Sequence, residues 1–268
     1  MKLFASLVVG APRLRYLLPE GRSNLEHSGS KSDSVRATGG RWATSSWTRR
    51  DAHQLSCSKD VVLDIYDSLW VNNQDIAEQT LKTPFLQHMQ SGDLQADYYV
   101  TFTIQDINYL VKVTDMLKTM SERGDMPDYI HAFMKARYKS YKNYADDTLK
   151  QFNLCGVSDI KPIPAMEKYL SDYKDIMERE EPIYSAVSLL PCARLWIWLA
   201  SKLEEKKQNA YFTWKNNNMQ GHPEKEYRKL LDDHLKTPQQ VELAHKIFRR
   251  QMQNEHDFFA ASFQEKQK

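Results

Sequence analysis

From residue 59 onward, apolar positions recur at helical spacing, with no strand-like alternation between turn residues. Val62, Ile65, Tyr66, Leu69 and Trp70 fall at i, i+3, i+4, i+7 and i+8, one stripe of an amphipathic helix. Thr83-Pro84 has the form of an N-cap followed by proline at the first helical position, and Ser91-Gly92-Asp93 closes that short helix. Long helices are expected over 95–122 and 128–152, parted by Gly124 to Pro127. Beyond the loop marked by Cys155-Gly156 and Pro162 to Pro164, helices are expected near 165–180, 183–205, 208–218, 223–235 and 238–264, with Thr237-Pro238 repeating the cap signal. The pattern predicts an all-α fold, a single domain of about eight helices over residues 57–268.

Residues 1–56 show no sustained period and hold five of the nine glycines. They read as an N-terminal extension, either disordered or a targeting segment, with mitochondrial targeting ahead of secretory. Charge sharpens this division. Residues 1–50 carry nine Lys/Arg against three acids, which leaves the rest with 28 basic and 32 acidic residues. A mildly acidic body without a basic stripe argues against nucleic acid as partner. Cys57, Cys155 and Cys192 are odd in number and widely spaced, without a CxxC, which fits a reducing compartment. The expected location is the cytoplasm, or the mitochondrion if the basic extension targets it there. No stretch of about 20 apolar residues is evident, so no membrane span is expected.

Three polar residues interrupt apolar stripes. Asp106 shares a face with Tyr99, Phe102, Tyr109, Leu110, Val113, Met116, Leu117 and Met120, while Thr101, Gln105, Asn108, Lys112 and Asp115 form the opposite face. Cys192 lies with Leu189, Trp196, Leu199 and Leu203 in a helix that Pro191 interrupts. A proline there removes a backbone donor at a cost of about 3 kcal/mol. Glu255 falls on the stripe Ala244, Phe248, Met252, Phe259, Ser262. Each alone is also explained as a hydrogen-bonded core residue, or as a buried thiol beside a kink. Together, a thiol and two acids suit a small-molecule pocket in which a thiolate attacks and a carboxyl group transfers a proton.

The motifs Gly92-Asp93-Leu94, Tyr98-Tyr99, Gln105-Asp106-Ile107-Asn108-Tyr109-Leu110, Leu189-Leu190-Pro191-Cys192, Tyr211-Phe212-Thr213-Trp214 and Glu255-His256-Asp257-Phe258-Phe259 resemble, in order and spacing, the thiaminase II (TenA) family over about residues 60–265. The resemblance implies a heme-oxygenase-like helical bundle, usually a homotetramer, working on a small molecule without metal or cofactor. It implies cleavage of thiamin or of its degraded aminopyrimidine. On that reading Cys192 is the nucleophile that adds to the pyrimidine ring, and Glu255 exchanges a proton with the ring nitrogen. Asp106 holds the amino edge, Tyr109 and Tyr169 line the pocket, and Phe258 lies in the substrate-binding set. Trp196 and Asn218 stand where the family has pocket tyrosines. These departures put the acceptor in question: water, or an organic base or thiol as in thiaminase I chemistry. Two alternatives remain: a helical pyrimidine-binding protein with altered or lost catalysis, and a cofactor-free oxidase of the same fold. Heme chemistry is disfavoured, because residues 59–80 contain no histidine for an axial ligand.

Overall fold

Prolines start half of the helices among the described residues. The computed structural model describes residues 63–204 and 206–263. Within them the chain forms α1 (Ile65–Val71), α2 (Gln74–Leu81), α3 (Pro84–Ser91), α4 (Ala96–Glu122), α5 (Asp128–Gln151), α6 (Pro164–Arg179), α7 (Pro182–Lys202), α8 (Phe212–Asn218), α9 (Pro223–His234) and α10 (Pro238–Ala261). No strand occurs among the described residues. The extension over 1–56 lies outside them.

The helix boundaries follow local chemistry. Thr237 Oγ1 accepts a hydrogen bond from Gln240 N, and the Thr237 N–H donates in turn to Gln240 Oε1, a complete capping box. Thr83 occupies the same position before Pro84, but its hydroxyl donates to Thr80 O at 2.8 Å and caps nothing. Gly92 ends α3 at φ 84°, a left-handed conformation that suits glycine, with Asp93 and Leu94 both donating to His88 O. One helix escaped the sequence reading. Asn72 and Asn73 break the first helical segment, the Asn73 side chain donates to Leu69 O at 2.8 Å, and α2 starts anew.

The core is built around α7, which packs against α2, α5, α6, α8, α9 and α10. Fifteen of its 21 residues are buried, Pro191 among them, and the helix continues through that proline. By length and composition α7 could cross a membrane, but a core helix passes the same test, and 83% of its most apolar window is buried inside the protein. Helices α4 and α5 pack together, and α10 lies against both α6 and α7. Two face assignments also need correction. Gln105 and Asn108 are buried, not solvent-facing, and Gln105 bridges the loop before α6 by donating to Lys161 O and accepting from Ile163 N. On α5, Tyr141 and Tyr144 turn into the core while Lys135, Lys139, Lys142 and Lys150 stay exposed.

Candidate active site

Glu255, fully buried on α10, accepts two hydrogen bonds: from the Tyr169 hydroxyl at 2.6 Å to Oε1 and from the Trp196 indole N–H at 3.0 Å to Oε2. A carboxyl group in an apolar interior is costly unless such donors meet it. The donors come from α6 and α7, so three helices converge on one side chain. Tyr169 lies one helical turn before Tyr173, with their hydroxyls 3.4 Å apart, and Tyr173 in turn meets the Tyr109 hydroxyl of α4 at 2.9 Å. The rings of Tyr109, Tyr169 and Tyr173 lie 5.1–5.8 Å from one another.

Cys192, 1% exposed on α7, lies within electrostatic reach of all three phenols. Burial holds each phenol well above its ordinary range. Cys192 adds to that rise at Tyr109 and Tyr173, and Glu255 is the next contributor at Tyr169. These tyrosines therefore keep their hydroxyl protons at physiological pH. The fold thus brings Tyr109, Tyr169, Cys192, Trp196 and Glu255 into one cluster and adds Tyr173, which the sequence reading passed over. Its signal was present, since Tyr169 and Tyr173 are spaced i, i+4 on one face.

Beside the cluster is a cavity of about 30 Å³, room for roughly one water molecule. Phe102 and Asp106 of α4 form one wall, Tyr144, Thr148 and Phe152 another, and Trp196 with Trp214 a third. Asp106 is partly buried, with its Oδ1 shielded from solvent. Trp196 is the common member: its ring lines the cavity while its N–H binds Glu255. The ring is wedged between Phe102, Trp214 and Phe259, with centroids 5.2–5.9 Å away.

Of the expected binding residues only Asp106 and Trp196 line this cavity; Tyr109 and Tyr169, like Cys192 and Glu255, belong to the cluster beside it, and Phe258 and Asn218 stand back. Phe258 stacks on the Phe102 ring at 4.9 Å, as support for the wall. Asn218 is buried on α8 and donates to Trp214 O at 2.8 Å, so its amide nitrogen serves its own helix. The α5 wall was missed, although Tyr141, Tyr144 and Thr148 follow an i, i+3, i+7 stripe. Another overlooked spacing, Glu242-x-x-His245, has the form of a di-iron ligand pair. Here Glu242 is exposed and paired with Lys246, while His245 meets the Ser68 hydroxyl. No cluster of three or more His, Cys, Asp or Glu suited to a metal occurs among the described residues.

Comparison with known proteins bears on this arrangement. A TenA homologue from P. horikoshii OT3 superposes with a TM-score of 0.63 at 19% identity, covering 75% of this chain and 98% of that one. A TenA homologue from Pyrococcus furiosus gives 0.58 at 13% identity, covering 74% and 100%. At such identities the likeness is one of fold. No curated protein is significantly similar in sequence to this chain. The model of the TENA/THI-4/PQQC family matches residues 70–265, which span every helix of the cluster, and the chain belongs to that family.

Proposed function

We propose that this protein acts on thiamin or a related aminopyrimidine, cleaving it by addition of Cys192 to the pyrimidine ring. One observation carries the reading: a buried carboxyl group hydrogen-bonds a tyrosine cluster that lies within electrostatic reach of a buried thiol on another helix, next to a cavity that Asp106 helps to line. Family membership supports thiamin-related chemistry in general. In the proposed reaction the Cys192 sulfur bonds to a ring carbon as its thiol proton is lost, and Glu255 passes that proton on to the ring nitrogen, which removes the charge that addition would build there. The thiazole then leaves from the exocyclic methylene, an acceptor takes its place, and loss of the sulfur restores aromaticity. Asp106 holds the amino edge of the pyrimidine. Tyr109 and Tyr173 complete the donor chain towards Tyr169 and Glu255.

A second reading has a specific observation behind it. Trp196 is bulkier than a tyrosine, and the cavity beside it is smaller than a pyrimidine ring. Ring entry therefore requires a side chain of the cavity wall to move, and a ring admitted but held short of Cys192 would be bound without reacting. Thiamin turnover by the purified protein decides between the two. The parent is expected to consume thiamin, and Cys192→Ser to lower the rate by at least about 100-fold, the scale of a lost nucleophile. No turnover by the parent, or equal turnover by Cys192→Ser, would leave the binding reading in its place.

A further inference from the structure

Thr148 lines the cavity beside the tyrosine cluster, is 4% exposed, and its Oγ1 has no hydrogen-bond partner among the described residues. Other buried or half-buried threonines of this fold turn their hydroxyls back to the carbonyl four residues earlier, as Thr80, Thr103 and Thr114 do at 2.7–2.8 Å. Thr148 does not, so its donor and its lone pairs are left for a partner outside its own helix. Buried hydroxyls are rarely without one. Two other polar groups of the cavity wall are already engaged: the Thr103 hydroxyl donates to Tyr99 O and the Trp196 N–H to Glu255. Asp106 lines the same cavity with its Oδ1 shielded from solvent, and a carboxyl group accepts several hydrogen bonds at once. The cavity of about 30 Å³ is too small for an organic acceptor. It suits one water molecule, which needs about two to four polar partners, and Thr148 and Asp106 are two.

We propose that Thr148 is a positioning residue that holds, together with Asp106, the water molecule that accepts the pyrimidylmethyl group. The assignment rests on the thiamin-cleaving reading above, in which Asp106 holds the amino edge of the pyrimidine. The methylene carbon is attached to the ring atom next to the one that bears the amino group. A water shared by Asp106 and Thr148 therefore lies on the side of the ring where the acceptor is needed. Trp196 and Asn218 bring no hydroxyl to this place: the one donates to Glu255, and the amide nitrogen of the other serves its own helix. The Thr148 hydroxyl donates to one lone pair of the water and a water O–H donates to Asp106, which leaves the second lone pair for carbon. The thiazole departs neutral, with the electron pair of its bond to the methylene carbon, and the charge that thiamin brought stays on the amino edge. The free lone pair of the water then bonds to the methylene carbon, and the electrons of the exocyclic double bond return to the ring. The surplus water proton passes to Asp106 and on to solvent, so the step balances without oxidant or further reactant.

The test is a product ratio measured on the full chain. Thiamin is incubated with the parent, Thr148→Val and Thr148→Ser at one concentration of β-mercaptoethanol, and thioether and hydroxymethylpyrimidine are quantified by mass spectrometry. Thr148→Val removes the hydroxyl at nearly constant size, and Thr148→Ser keeps it. The thioether-to-alcohol ratio is expected to rise about tenfold in Thr148→Val, the scale of one lost hydrogen bond to the water, and to return to within about twofold of the parent in Thr148→Ser. A merely structural role would change the rates of both products together and leave their ratio in place. A ratio that does not rise in Thr148→Val, or that rises equally in Thr148→Ser, overturns the assignment. If the parent consumes no thiamin, the cleavage reading and the acceptor role fall together, and a crystal structure of the parent judges the water site alone. A water within about 3.2 Å of Thr148 Oγ1 supports the site, and its absence removes it.

Discussion

Trp196 has two tasks that substitution can separate. Its N–H donates to Glu255, and its ring closes the cavity against Phe102 and Trp214. Trp196→Phe keeps an aromatic ring and removes the donor. A buried acceptor deprived of its partner costs about 1–3 kcal/mol. A thermal melt is therefore expected to move down by about 2–4 °C per kcal/mol lost. An unchanged melting temperature would mean that the indole hydrogen bond contributes nothing to stability. At this scale the sequence was partly legible. Spacing turned Glu255 and Cys192 inward, and both are buried. It did not reveal that the tryptophan standing for a tyrosine is a donor to Glu255, because that contact joins residues 59 positions apart.

Among the elements, α1, α7 and α9 are fastened by one charged network. Arg194 of α7 donates to Tyr66 O at 2.5 Å and to Asp67 at 2.9 Å, and its guanidinium lies 3.9 Å from the Tyr66 ring centre. Arg228 of α9 donates to Asp67 at 2.7 Å and also bonds Asp64, the N-cap of α1. Burial pushes the Asp67 carboxyl up, but the hydrogen bonds from Arg228 and Arg194 outweigh it and hold the group below its ordinary 3.8. A depressed folded value means that this stabilisation is present above pH 3.8 and is lost as pH falls through the lower folded value. Asp67→Asn should thus melt below the parent at pH 7, with a gap of about 1 kcal/mol that closes towards pH 3. A gap independent of pH would show that packing, not the ion pairs, fastens these helices. Helix existence was readable from apolar period and Thr-Pro signals. The break at Asn72–Asn73 was not, because asparagine's competing side-chain bond to Leu69 O leaves no trace in an apolar pattern.

For the molecule as a whole, the tyrosine cluster predicts an alkaline limit. Burial raises the phenols of Tyr109, Tyr169 and Tyr173 well above 10.0, so the folded chain keeps protons that the unfolded chain gives up. Their contribution is complete below pH 10.0 and declines as pH rises above it towards the folded values. Urea midpoints between pH 8 and 11.5 should fall once pH passes 10, and Tyr173→Phe should flatten that fall by about 1.4 kcal/mol per pH unit. Equal slopes would show that Tyr173 keeps an ordinary phenol in the folded state. The sequence by itself determined that this chain is helical, where most helices start and stop, and which stripes turn inward. Those properties depend on residues within a turn or two of one another, which proline, glycine and apolar spacing encode directly. Only the tertiary structure decided which inward residues meet. Tyr169 and Glu255 are 86 positions apart, and they touch because α6 packs on α10. The same packing sets Trp196 between the cavity and Glu255, and aligns Thr148 and Phe152 with the α4 wall. Such contacts follow from how helices lie across one another, a geometry that no local spacing contains.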